Sequence, residues 1–126
     1  MTNIIHTQET NTTPQVILDS EKGLISFKGK IVTVDCDSLF KPVFNWLNEY
    51  IISPCSQTQI NIQLDYFNTI STKYLIILFR KIEAQLLNNN NIKVSWYYDV
   101  EDEDMIEIAE DFQSVTNIPF ELVEID

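Results

Sequence analysis

Apolar and polar positions alternate along parts of this chain and recur with helical spacing along others. Gln15–Asp19 and Leu24–Lys28 read as two strands joined by the turn Ser20-Glu21-Lys22-Gly23, a hairpin pattern. Pro14 stands just before the first strand, where a missing N–H does least harm. Gln59–Leu64 sets Ile60, Ile62 and Leu64 against Asn61 and Gln63, the period of a half-buried strand. Ile92–Tyr98 is a further strand with Val94, Trp96 and Tyr98 on one face, and Pro119–Ile125 closes the chain as an edge strand.

Three helical runs lie between these strands. The first passes through Phe40–Ile51, capped by Asp37 or Ser38, with Pro42 in its first turn. Phe40, Val43, Phe44, Leu47 and Ile51 form its buried face, and Ser53-Pro54 stops it. The second runs from Lys73 to Leu87 and carries Ile70, Tyr74, Ile77, Leu78, Lys81, Ile82 and Leu86, with Leu75, Ile76 and Phe79 widening the apolar arc. Its apolar arc is wide enough to require a sheet beneath it, and the asparagine run 88–91 ends it. The third, Asp102 to about Val115, buries Met105, Ile108, Ala109 and Phe112. Residues 29–37 fit either a short strand through Ile31, Val32 and Val34 or a packed loop.

A strand–helix–strand unit with short joints implies a right-handed crossover and a parallel pair. The fold class is therefore α/β: a single small domain, a mixed β-sheet packed by about three helices. Residues 1–12 are expected to be a flexible N-terminal tail, and residues 13–126 the domain. At 126 residues there is room for one core and not for two.

Charge narrows the functional classes. A net charge of −11 argues against nucleic-acid binding, which needs clustered Lys and Arg, and against an anionic membrane surface. No apolar run approaches the roughly 20 residues of a membrane span. Residues 1–13 lack the basic-then-apolar order of a signal peptide. Cys36 and Cys55 form no CxxC, so reduced thiols and a cytoplasmic location are expected.

Little in the chain suggests catalysis. His6 is the only histidine and lies in the expected tail, which removes Ser-His-Asp and histidine–metal arrangements. With Gly23 and Gly29 alone there is no glycine-rich phosphate loop. Asp99, Glu101, Asp102, Glu103, Asp104, Glu107, Glu110 and Asp111 make a dense acidic run. It reads as a solvated helix face, as a docking face for a partner, or as carboxylate ligands for a divalent ion. No cofactor is expected.

The junction Leu64-Asp65-Tyr66-Phe67-Asn68-Thr69-Ile70-Ser71-Thr72-Lys73 is the densest chemical feature, since three hydroxyls and an asparagine crowd the start of the second helix. A hydroxyl there lies at the positive end of a helix dipole, a natural place to carry a phosphate. Helix capping alone also accounts for Asn68, Thr69, Ser71 and Thr72.

Two segments extend this. Leu64–Lys73 resembles the LEYFNTSSSK motif, and Trp96-Tyr97-Tyr98-Asp99 with Glu101–Met105 resembles the WYYDxxDEDM motif, of the SiaC-type regulatory phosphoproteins of bacterial biofilm and aggregation control. Thr13-Pro14, Trp46-Leu47, Glu110-Asp111-Phe112 and Pro119–Leu122 also fit. The resemblance implies a STAS-like partner switch. A cognate serine/threonine kinase would phosphorylate Thr69, with Ser71 and Thr72 as lesser candidates, and a PPM-type phosphatase would reset it. The unphosphorylated form would bind and activate a diguanylate cyclase. Asn68, Ser71, Thr72 and Lys73 would form the switch helix N-terminus, and Asp65, Tyr66, Phe67, Tyr97, Asp99, Asp102 and Glu103 the candidate partner contacts. Lys30–Asp35 departs from the Ser-Tyr-Pro-Glu-type turn of relatives. Two rival readings are a STAS-like module acting on another target, such as an anti-sigma factor, and a metal-dependent enzyme using Asp99, Asp102 and Glu103.

Overall fold

The computed structural model describes residues 3–86 and 91–125. Its elements run β1 (Ile4–Thr7), β2 (Gln15–Asp19), β3 (Leu24–Ile31), α1 (Cys36–Tyr50), β4 (Gln57–Phe67), α2 (Thr69–Leu86), β5 (Asn91–Asp99), α3 (Asp104–Ser114) and β6 (Phe120–Ile125). The six strands form one mixed sheet in chain order. β1, β2 and β3 pair antiparallel, and β3 to β6 pair parallel. Each parallel pair is bridged by one helix, and three right-handed crossovers stepping the same way put all three helices on one face.

Burial follows that layering. Along β4, Thr58, Ile60, Ile62 and Leu64 are buried under the helices, while Gln59, Asn61 and Gln63 are half-buried on the helix-free face. There Gln59 Nε2 donates to Asn61 Oδ1 at 2.9 Å and to Ser95 Oγ at 2.9 Å. The core is continuous from Leu18, Ile25 and Phe27 through Phe40 and Trp46 to Phe79, Trp96 and Phe112.

The hairpin, the central strands, the crossover and the edge position of β6 agree with the sequence pattern. Other expectations need correction. The stretch 1–12 contains β1, which pairs with β2 and is strapped to α1: Trp46 Nε1–H donates to the Asn3 carbonyl at 2.8 Å, and Asn3 Nδ2 donates to Glu49 Oε2 at 2.7 Å. The expected α1 cap at Asp37 or Ser38 is Asp35, whose side chain accepts from Ser38 N. In the ambiguous segment, Ile31 ends β3 and Val34 is 84% exposed. α2 starts at Thr69, four residues before the expected Lys73, and its core face is Leu75, Leu78, Phe79, Ile82 and Leu86; Ile70 and Ile77 point outward. The expected helix end at Leu87 and the asparagines 88–90 lie outside the described residues.

One irregularity positions the site. The β3–β4 register runs Gly29↔Leu64 and then Lys30↔Tyr66, which leaves Asp65 as an extra residue in β4. Such a bulge shifts the side-chain phase by one. Phe67 instead of Tyr66 therefore joins the core face, packing against Trp96 and Phe112, while Tyr66 is 52% exposed.

The β2–β3 turn is fixed by Asp19, whose Oδ1 accepts from the N–H groups of Glu21 and Lys22 at 2.9 and 3.1 Å. Gly23 completes it with φ +66°, and a Cβ there would strike the Gln57 carbonyl and the Tyr50 hydroxyl. Gly23→Ala is therefore expected to destabilise the protein by about 1–3 kcal/mol, through both the left-handed conformation and the clash. Urea unfolding checks this, and a wild-type midpoint would contradict the packing described.

Candidate functional site

The C-terminal ends of β3, β4 and β5 lie along one edge of the sheet, and each leads into the N-terminus of a helix. Outside the carboxyl ends of parallel strands, helix N-termini and strand ends jointly present free backbone donors, the usual location of function in open α/β sheets. Both sequence motifs end there.

Asn68 organises this edge, with both ends of its amide in use. Its Oδ1 accepts from Ser71 N at 2.9 Å, capping α2. Its Nδ2 donates to the Thr33 carbonyl at 2.8 Å, and its backbone N–H donates to the Ile31 carbonyl at 3.1 Å. The start of α2 is thereby fastened to the β3–α1 loop. That loop, residues 32–35, and the end of β3 support Asn68 through the backbone carbonyls of Thr33 and Ile31, which tolerate changes of side chain. Thr12 tightens it from the other side by accepting from Val32 N and Thr33 N at 2.9 and 3.1 Å.

The three hydroxyls of the junction have different fates. Ser71 is completely buried, and its Oγ–H donates to the Asn68 carbonyl at 2.7 Å. Thr72 is half-buried and its hydroxyl reaches the same carbonyl at 3.3 Å. Thr69 is exposed, and its hydroxyl makes no hydrogen bond among the described residues. The capping role read from sequence for all four polar residues thus narrows to Asn68, with Ser71 and Thr72 bonded back onto it.

Beside Thr69 the surface is grooved. Phe67, Thr69, Thr72, Ile76, Ile108 and Asp111 line a cleft of about 450 Å³ between α2 and α3. Phe79 and Phe112, edge to face at 5.5 Å, pack beneath it. The groove is apolar with a polar rim, which suits an apolar side chain of a docked protein.

The remaining candidate contacts are spread along the edge. Asp65 and Tyr66 are exposed, Phe67 and Tyr97 half-buried. Asp99 forms the turn into α3: its Oδ1 accepts from Glu101 N at 2.9 Å and its carbonyl accepts from Asp102 N at 2.9 Å. Glu103 precedes α3 without a side-chain cap bond. Among the described residues, no three His, Cys, Asp or Glu side chains are grouped so as to hold one metal ion. The Cys36 thiol is pushed up from its ordinary pKa by burial and then by Asp35, the reverse of what a nucleophile needs. Sequence reasoning missed Cys36 as a neighbour of the site; its thiol lies 3.9 Å from Asn68 Oδ1, a proximity that only the meeting of α1 and α2 creates. Among the described residues no helix is long and apolar enough to cross a membrane.

Comparison with known proteins adds lineage to this geometry. The model of the SiaC family of regulatory phosphoproteins matches residues 7–125. An uncharacterised protein of Pseudomonas aeruginosa strain UCBPP-PA14 is 25% identical over 116 residues, which span 92% of each chain. The fold is also similar to two solved structures from Pseudomonas aeruginosa. SiaC aligns with a TM-score of 0.87 and 22% identity, covering 98% of this chain and 99% of that one. SiaC in complex with the diguanylate cyclase SiaD, of which it is the activator, aligns with a TM-score of 0.89 and 24% identity, covering 96% of this chain and 99% of that one.

Two outcomes test this geometry. Asn and Asp are nearly equivalent at an ordinary N-cap, but Asn68→Asp would set a carboxylate oxygen against the Thr33 carbonyl. It is expected to cost about 1–3 kcal/mol in urea unfolding. A variant as stable as the parent would refute the tie. Cys36 is expected to resist alkylation at mildly alkaline pH until the protein unfolds; peptide mass spectrometry showing rapid native-state labelling would contradict its burial.

Proposed function

The chain belongs to the SiaC family of regulatory phosphoproteins, and from that membership we propose that it is a non-enzymatic partner switch set by phosphorylation of Thr69. The unphosphorylated form binds and activates a diguanylate cyclase, a reading supported by the fold relative that is the activator of the cyclase SiaD. A cognate serine/threonine kinase adds the phosphate, and a PPM-type phosphatase removes it. The observation that carries the reading is the isolation of the Thr69 hydroxyl: exposed, unbonded and on the rim of an apolar groove, whereas Ser71 is sealed in and Thr72 is bonded back.

The energetics favour blocking a partner over breaking the fold. A phosphate on Thr69 adds about −1.5 to −2 charges near neutral pH. The first turn of α2 holds no acidic residue, and the helix dipole there favours the added charge by about 0.3–1 kcal/mol. A carboxylate on a docked partner about 4 Å away opposes it by about 4 kcal/mol per unit charge at an effective dielectric near 20. The fold therefore tolerates the phosphate, while a partner fitted to the neutral hydroxyl does not.

Thr69→Asp is expected to unfold at the temperature of the parent yet lose the cyclase in calorimetric titration. Thr69→Ala is expected to bind constitutively and to accept no phosphate from the kinase. Full cyclase binding by the Asp variant would sink the proposal, as would undiminished phosphorylation of the Ala variant.

A further inference from the structure

The outward face of α2 carries residues that the hydroxyl switch does not use. Ile70, Lys73, Ile77 and Arg80 follow one another at steps of three, four and three, so they stand on one stripe of the helix. All four are exposed, Ile70 by 45% and Ile77 by 44%. Lys81 flanks them, its Nζ 5.6 Å from the centroid of the Phe44 ring. The steps are those of the a and d positions of a helix-pairing seam, here filled alternately by an isoleucine and a cation.

The charge of this stripe runs against that of the chain. Acidic residues outnumber Lys and Arg by 19 to 8 overall, yet α2 holds Lys73, Arg80 and Lys81 against a single acid, Glu83. None of the three cations makes an ion pair among the described residues. α3, by contrast, presents Asp104, Glu107, Glu110 and Asp111.

We propose that this stripe seats an acidic amphipathic helix of the partner, with apolar residues against Ile70 and Ile77 and carboxylates against Lys73 and Arg80. The inference rests on the partner-switch reading and supplies the chemistry of the partner. It also gives the switch a second mechanism. Thr69 lies at the N-terminal end of the stripe, and Lys73 stands four residues on, within reach of a phosphate on Thr69. Phosphorylation would thus turn an acidic helix away twice, by adding negative charge and by occupying the cation that its first carboxylate would meet.

The test uses the full chain and two synthetic helical peptides of one apolar heptad pattern, one flanked by glutamates and one by lysines. Titration is followed by amide chemical shifts. The glutamate peptide is expected to bind, with shift changes along the exposed face of α2. Its affinity should fall about tenfold or more in the Lys73→Glu/Arg80→Glu variant. It should also fall when ionic strength rises from about 0.1 M to about 1 M, as the screening length drops from about 10 to about 3 Å. Thr69→Asp should weaken it several-fold. The variants' own spectra report whether they remain folded, and Ile77→Ser serves as an uncharged second probe with the same expected direction. Tighter binding of the lysine peptide, shift changes on α3, indifference to the double reversal or no binding of either peptide would overturn the proposal. A separate capture assay with the cyclase keeps the two ideas apart. A cyclase that binds the parent and the double-reversal variant equally refutes the stripe and leaves the switch standing. Peptide binding on the stripe with no cyclase captured refutes the cyclase reading and leaves the stripe standing.

Discussion

The two-ended hydrogen bonding of Asn68 is the constraint on which the functional edge depends. Its carbonyl oxygen ends β4 and starts α2, while its amide nitrogen fastens that start to the loop leaving β3. β3 and β4 are parallel neighbours, so the same side chain sets the angle between a strand end, a helix start and the preceding crossover. Ser71 and Thr72 return their hydroxyls to the carbonyl of the same residue. Of the four polar residues at the start of α2, Asn68, Ser71 and Thr72 have their side chains bonded inward, and the hydroxyl of Thr69 does not. A modification at that one position changes what the surface shows to another protein without unpairing anything beneath it.

The bulge at Asp65 makes the complementary adjustment. Without the extra residue, strict alternation would place Tyr66 over the core and Phe67 on the open face. With it, Phe67 reaches Trp96 and Phe112 and builds the wall of the groove beside Thr69. The surface that results is divided by charge. α3 is acidic, α2 is apolar and basic, and the groove lies between them. A phosphate on Thr69 would move the α2 side of that boundary toward the sign of α3.

Much of this was legible in the sequence, and the exceptions have physical reasons. Alternation of Ile60, Ile62 and Leu64 with amide side chains gave the central strand, because only one face of the sheet carries helices. Phase along α2 was not legible: isoleucine or leucine stands on every side, and periodicity cannot say that Ile70 and Ile77 face outward when they resemble Leu78 and Ile82. The early start of α2 was hidden by Thr69, Ile70, Ser71 and Thr72, residues of modest helix propensity held helical by the Asn68 cap. β1 was missed because its stability comes from backbone pairing with β2 and from Trp46 and Glu49, none of which leaves a pattern in residues 4–7. The motif Leu64–Lys73 pointed to Thr69 by resemblance, and the geometry adds that Ser71 is buried and that Thr72 is bonded back to Asn68.

The most direct measurement of the central claim is phosphopeptide mapping of the protein isolated from its native host, across growth conditions. The account requires a single phosphate on Thr69 in a fraction of molecules that changes with conditions. Phosphate on buried Ser71 or on Thr72, or none under any condition, would contradict it and leave the junction as a helix cap.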